Sequence, residues 1–418
     1  MLISFKVKNF RSFKDCQSFT MTAGRFPNHQ EENTFNANVE GLDKRLLRSL
    51  AFYGANASGK TNVLKALQFM QSFVLATPEN LSQLQSQNQT FKFFEGTRHQ
   101  PSEFEVAFVQ DGVRYDYGFA TSYARIEKEW LIQYKNSRGR HLFQRSYDSS
   151  SGDYHWKFSP FFKGHKSLWS TVTRPDVLFL SAAIQLNSQQ LLPVYEWFQK
   201  RLVIIFNSNF GFNTALTLNL LESPEGRNGL LSLMQDAGFD INGIQLRREA
   251  LPQNTVFLRD KMIEQRPGQP PILVIITLNH PADHPDYAML ELEEESQGTQ
   301  VFFRNLGAWM NVLQNGVVLF VDEIESSLHP LLIKFLIKKF HSTDHNPHNA
   351  QLIFTSHSSE LMDLELLRRD QIWLARKDEC GNSILYPLTK FKPRQDASLM
   401  RAYLRGAYGA LPPIKEQT

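Results

Sequence analysis

Residues 49–64 read Ser49-Leu-Ala-Phe-Tyr-Gly54-Ala-Asn56-Ala-Ser58-Gly59-Lys60-Thr61-Asn-Val-Leu64. The first five residues are a short apolar run, the pattern of a buried strand, and from Thr61 the apolar residues Val63, Leu64, Ala66, Leu67 and Met70 recur at helical spacing. Between them Gly54 to Thr61 satisfies GxxxxGK[ST], placed where its physics requires, after a strand and at the opening of a helix. The glycines let backbone amides turn toward phosphate oxygens, and the helix dipole favours the negative charge. Lys60 is expected to reach the β- and γ-phosphates and Thr61 to hold Mg²⁺, with Gly54, Asn56, Ser58 and Gly59 shaping the loop. A flexible turn before a helix is the plainer reading, and the correct flanks on both sides argue against it.

Working outward, Gly316-Val-Val-Leu-Phe-Val-Asp322-Glu323 is an apolar strand ending in two carboxylates. Asp322 is expected in the Mg²⁺ shell and Glu323 to orient and deprotonate an attacking water. Solvated acids at a strand end would look the same, but not together with a phosphate loop. The pair predicts a nucleoside triphosphatase using ATP and Mg²⁺. Around it the pattern alternates: helix over 299–314, strand over 317–321, helix over 330–340 and strand over 352–355, which argues for a parallel, doubly wound sheet.

The N-terminal third reads differently. Ile3, Phe5 and Val7 share one face of a strand, Phe10 to Phe13 is expected to start a second, and hairpins are expected over 104–119 around Asp111-Gly112 and over Trp130 to Arg145. Helical patterns return at 183–201 and 215–236, followed by a strand-like stretch interrupted by the Pro-rich residues 266–271. The predicted fold is α/β: a mixed or parallel P-loop sheet core, an N-terminal antiparallel β subdomain and a helical insertion. Its parts are 1–125 with the phosphate loop, 126–285 as insertion and 286–418 as C-terminal lobe.

Forty-five basic and forty-two acidic residues give a formal charge of +3, so no large cationic field predicts tight nucleic-acid binding by bulk electrostatics. Cys16 and Cys380 are the only cysteines, with no metal-ligand spacing, which fits a reducing cytoplasm. The alternating N-terminus is unlike a signal peptide, and no run of eighteen apolar residues occurs, so a soluble protein without membrane contact is expected.

Asp322-Glu-Ile-Glu-Ser-Ser-Leu-His329-Pro330 resembles the Walker B and D-loop of ABC-type ATPases of the SMC/RecF/OLD clade, and Phe354-Thr-Ser-His357-Ser places a histidine where those proteins carry a switch histidine. The resemblance implies that His357 contacts the γ-phosphate. It also gives Glu295-Ser296-Gln297-Gly298-Thr299 a role beyond capping a helix: a Ser-x-Gly signature, with Ser296 and Gly298 of one protomer facing the γ-phosphate held by another's phosphate loop. A homodimer or higher homo-oligomer with ATP sandwiched between heads follows. The motif differs from the transporter form, and His329 stands where transporters have aspartate, so the likeness points away from transporters.

Asn9-Phe10-Arg11-Ser12-Phe13 looks like the opening of RecF- and SMC-type heads. Arg11 is there either a basic residue approaching the nucleotide or a solvated strand-end charge. Gln185 reads as a surface helix residue rather than as the Q-loop glutamine. No heptad run separates Thr61 from Gly316, so a short folded insertion stands in place of an SMC arm. The stretch from Tyr403 to Pro413 looks like the ending of AAA-family ATPases related to RloA and to the ATPase subunits of phage-defence modules such as PARIS and Septu. That resemblance implies a sensor and scaffold regulating a separately encoded effector, expected to be a nuclease, in bacterial anti-phage defence. Any nucleic-acid contact would then be indirect. Lys390, Lys392, Arg394, Arg401 and Arg405 read as a solvated basic face. The competing expectation is a RecF-like DNA-repair or clamping ATPase that binds duplex DNA directly.

Overall fold

The apolar run that leads into the phosphate loop is the strand Ser49–Gly54, buried at every position. A parallel strand flanks it on each side, Gln351–Thr355 and Ile372–Lys377. Val318–Val321 and Leu202–Ile205 extend the parallel ladder, while Ser383–Pro387 closes the other edge antiparallel. The sheet therefore has six strands among the described residues, five of them parallel. Parallel strands covered on both faces are mostly apolar, which is why the middles of these segments show continuous runs and not alternation. The structure is a computed structural model that describes the chain except at residues 78–79, 82–83, 85–88, 136–137, 207–213, 252–261, 265–270, 282–287, 327, 393–397 and 412–418. The Pro-rich residues 266–270, Arg394 and Pro413 lie outside the described residues.

A second sheet of seven antiparallel strands runs in the order Asp153–Phe158, Arg138–Asp148, Ile126–Lys135, Val113–Thr121, Ser102–Gln110, Leu2–Lys8, Gln17–Thr20. The turn between its two central strands is Asp111-Gly112, both with positive φ (50° and 71°), the backbone that a tight two-residue hairpin demands. On the terminal strand, Asp153, His155 and Lys157 are exposed and alternate with the half-buried Tyr154, Trp156 and Phe158.

The helix Lys60–Val74 carries a buried apolar stripe into the core cluster. Phe69 packs on Phe10 and Phe104 (ring centroids 5.4 and 5.2 Å), and Phe73 stacks on Phe119 at 5.5 Å. This aromatic seam fixes the helix, and with it the phosphate loop, against the antiparallel sheet. Such pairs contribute about 0.5–1.5 kcal/mol each beyond area burial.

Phe10–Phe13 does not begin the second strand. Asn9 and Arg11 have left-handed backbone (φ 51° each), and Phe10 and Phe13 exchange both backbone hydrogen bonds at 2.9 Å, so the chain makes a tight turn and the strand starts at Gln17. Two short helices, Phe179–Gln185 and Leu192–Glu196, and a π-helical turn Trp197–Arg201 replace the single helical pattern expected over 183–201.

The chain divides into two units. Both sheets above belong to the first, which comprises Met1–Phe206, Leu313–Ile324 and Ile337–Thr418; the second comprises Asn207–Val312 and Glu325–Leu336. In the second, Gly243–Ala250, Met262–Glu264, Ile272–Asn279 and Met289–Glu291 form an antiparallel sheet beside the helices Thr214–Leu221 and Pro224–Asp236. Gly307, in the helix Gln297–Asn315, lets the backbone of Thr217 come so close that a Cβ would sit 2.4 Å from its nitrogen. The Thr217 hydroxyl seals that crossing by donating to Arg304 O at 2.9 Å and accepting from Gly307 N at 3.0 Å.

Candidate nucleotide site

Gly54 and Gly59 are required by space as well as by φ. A Cβ on Gly54 (φ 151°) would lie 2.2 Å from Ala375 O; one on Gly59 (φ 112°) would lie 2.4 Å from Ser383 Oγ and 3.1 Å from Ser12 Oγ. The loop thus rests on a hydroxyl cradle, in which Ser383 Oγ donates to Ser12 Oγ (2.8 Å) and Asn62 Nδ2 does the same at 2.7 Å. Ser58 and Lys60 are buried, and Asn56 lies on the more open shoulder. The Lys60 ammonium donates to Gly54 O at 2.8 Å and Ala55 O at 3.1 Å, which holds its charge at the mouth of the loop.

The second half of the site lies on the neighbouring strands. Thr61 Oγ1 donates to Asp322 Oδ1 at 3.1 Å, so the first helical residue after the phosphate loop touches the first carboxylate of the Asp-Glu pair. A hydroxyl and a carboxylate at this separation are the donor types that a hard divalent cation takes alongside water and phosphate oxygens. Both residues therefore fit Mg²⁺.

Thr355 completes the arrangement, and nothing in the sequence reading singled it out. Its hydroxyl donates to Asp322 Oδ1 at 2.7 Å and accepts from the Glu323 backbone N–H at 2.7 Å; its carbonyl accepts from Ile324 N at 3.1 Å. One fully buried residue thus fixes three consecutive positions after the strand Val318–Val321. Glu323 needs such fixing because its backbone is left-handed (φ 49°), which carries a cost of about 1–3 kcal/mol for a non-glycine residue. The signal available was a hydroxyl residue following three apolar ones at the end of a strand, two positions before His357.

His357 and Glu323 face each other, with Nε2 3.7 Å from Oε1 and both side chains partly exposed. A carboxylate and an imidazole at the lip of a phosphate loop can exchange or position a proton with water. Ser12 touches the loop, but the Arg11 guanidinium lies over the Phe10 ring at 5.7 Å, and burial lowers its pKa. Gln185 is the last residue of the short helix Phe179–Gln185 and is exposed.

In the second unit, the helix expected from Thr299 begins at Gln297, and Ser296 Oγ accepts from Thr299 N at 3.1 Å, a helix cap. Ser296 is exposed. Among the described residues, a Cβ on Gly298 would meet nothing nearer than Ser296 Oγ at 3.8 Å, so their packing does not require a glycine there. His329 Nδ1 accepts from Leu331 N at 3.3 Å at the start of the helix Pro330–His341.

A protein-family model described as "AAA domain, putative AbiEii toxin, Type IV TA system" matches residues 49–363, from the first residue of the phosphate-loop strand to beyond His357. The chain belongs to this AAA family. Among solved structures, the AAA chain is similar to an SMC head domain from Thermotoga maritima, at 13% identity over 92% of this chain and 98% of that one, with a TM-score of 0.41. It is also similar to CbiO1 of Clostridium perfringens, part of the ABC transporter complex CbiONQ, at 10% identity over 97% and 96% of the two chains, with a TM-score of 0.33. A comparison with curated proteins found no match. Among the described residues, no helix of this AAA chain is long and apolar enough to cross a membrane.

Proposed function

We propose that this AAA-family chain hydrolyses ATP with Mg²⁺ at sites shared between protomers. The observation that carries the reading is the convergence of Thr61, Asp322, Thr355, Glu323 and His357 on the phosphate loop. The loop amides and Lys60 bind the phosphates; Thr61 and Asp322 hold Mg²⁺. That cation, when bound, would supply charge neutralisation for the phosphates. Glu323 takes a proton from a water as its oxygen attacks the γ-phosphorus, and the bond to the ADP oxygen breaks in line. His357 stands beside Glu323 to contact the γ-phosphate.

Ser296 and Gly298 of a second protomer complete the site, forming a homodimer or higher homo-oligomer. Gly298 supports this reading, because among the described residues only Ser296 Oγ, at 3.8 Å, approaches the space it leaves at the N-terminus of a long helix. The lobes 1–125 and 286–418 carry the two half-sites, with 126–285 as the insertion. In the cell the protein acts in the cytoplasm as the ATP-driven sensor and scaffold of an anti-phage module of the RloA, PARIS or Septu kind, holding a separately encoded nuclease. The match to a family described with a toxin and a Type IV toxin–antitoxin system supports that direction.

The test is Glu323→Gln. The variant is expected to bind ATP, to lose hydrolysis and to accumulate a closed assembly in light scattering with ATP and Mg²⁺. Hydrolysis at the wild-type rate would rule out Glu323 as the general base.

A further inference from the structure

The segment after the last helix is not used by the site as described, yet it touches the phosphate loop. The helix Leu399–Leu404 is followed by two reversals at Gly406 (φ 77°) and Gly409 (φ 65°), closed by Gly406 N→Tyr403 O at 2.8 Å and Gly409 N→Gly406 O at 3.0 Å. These turns bring the Ala410 carbonyl to the Ala55 N–H at 2.9 Å. The Tyr403 ring packs 6.3 Å from that of Tyr53, the residue before Gly54. The turn is itself anchored, since Tyr386 Oη donates to Tyr408 O at 2.7 Å and Ala410 is buried.

Gly54 C=O and Ala55 N–H belong to one rigid peptide plane. On one side that plane is held by Ala410 O; on the other its carbonyl accepts from the Lys60 ammonium at 2.8 Å. Rotating the plane away from Ala410 necessarily turns the carbonyl away from Lys60. The orientation of the phosphate-binding lysine is therefore tied, through a single peptide unit, to a segment about 350 residues downstream.

We propose that Leu399–Ala410 is a strap that holds the phosphate loop in its binding shape, with the Ala410 carbonyl as the positioning group for Lys60 and the Tyr403 ring seating the strap against Tyr53. This rests on the reading that the loop takes ATP. Nucleotide affinity is then set from outside the site, and whatever displaces the strap weakens ATP binding without touching a phosphate contact.

The test compares full-length Tyr403→Leu, which removes the ring contact with Tyr53, and Gly409→Val with Leu404→Ser, a change on the exposed side of the same helix. Without nucleotide, hydrogen exchange of the peptide containing Ala55 is expected to rise about tenfold in Gly409→Val, as for a locally opened amide, and less in Tyr403→Leu. ATP affinity, titrated with a fluorescent analogue, is expected to fall about five- to tenfold, the worth of one net hydrogen bond, while kcat at saturating ATP holds. Leu404→Ser should match wild type in both. Unchanged exchange and unchanged affinity in both strap variants would overturn the proposal, as would a loss of kcat with affinity intact. If wild type binds no ATP, the nucleotide reading fails, whereas the exchange measurement still decides whether the strap holds the loop.

Discussion

Thr355→Val removes one hydroxyl while keeping the branched shape that fills the strand end. Two contacts go with it: the 2.7 Å bond to the Asp322 carboxylate and the 2.7 Å bond received from the Glu323 amide. A bond to a charged acceptor in a buried setting contributes about 1.5–3 kcal/mol. The Glu323 amide is only partly buried, so its loss belongs at the low end, about 0.5–1 kcal/mol. The total of about 2–4 kcal/mol lowers the thermal midpoint by about 5–10 °C for a unit of this size. Catalysis suffers more specifically. With its left-handed backbone no longer braced, Glu323 loses its aim, and a displacement of about 1 Å costs up to about a hundredfold in rate. The assay is steady-state phosphate release alongside ATP titration. We expect kcat down about ten- to a hundredfold, ATP affinity within about threefold, and substantial rescue in Thr355→Ser, which restores the hydroxyl. A Thr355→Val enzyme with wild-type kcat, or a Thr355→Ser enzyme as slow as the valine variant, would refute the reasoning.

Three further outcomes are expected. Ser296→Arg should abolish hydrolysis while leaving ATP binding intact, at a cap cost of about 1 kcal/mol seen as a small midpoint shift; normal turnover would rule out a role in trans. Glu129→Gln should destabilise the first unit by about 3–5 kcal/mol in chemical denaturation, because it strands the fully buried Arg145 and weakens acceptance from Tyr117 Oη, Phe179 N and Leu180 N. His341, buried against Ser49 Oγ at 2.8 Å, has its pKa pushed down from 6.5 to about 3, first by burial and then by Arg48 and His29. The unfolded chain takes up this proton near pH 6.5 and the folded one does not. Stability is therefore full above that pH and falls as pH drops toward 3, by about 1.4 kcal/mol per unit from this group. A His341→Gln variant should show a shallower loss of midpoint between pH 6.5 and 4.5, and an unchanged slope would remove His341 as the cause.

The phosphate loop was legible because its requirements are local. Eight consecutive residues fix glycine positions, lysine and hydroxyl, and the flanks declare strand and helix. The parallel strands Ser49–Gly54, Val318–Val321 and Gln351–Thr355 were legible for the same reason, as short apolar runs, whereas Ile372–Lys377 was not read. What escaped were features made by distant segments or by unusual backbone. Ser12 and Ser383 meet beneath Gly59 although 371 positions apart, and neither serine stands out in composition. Thr355 draws its importance from what lies across the sheet, which its own neighbours in sequence do not encode. The left-handed backbones of Asn9 and Arg11 turned an apparent strand start at Phe10 into a tight turn, because non-glycine residues give no warning of positive φ. The strand Leu202–Ile205 was hidden for a different reason: it follows a π-helical turn without a break, so a helical pattern ran straight into it.

The outermost strand of the antiparallel sheet has a further consequence, for colloidal behaviour. An open edge invites identical molecules to add strands without limit, and aspartate, histidine and lysine facing water along Asp153–Phe158 oppose that growth. A concentrated preparation should therefore associate edge to edge more readily once Asp153, His155 and Lys157 are replaced by apolar residues.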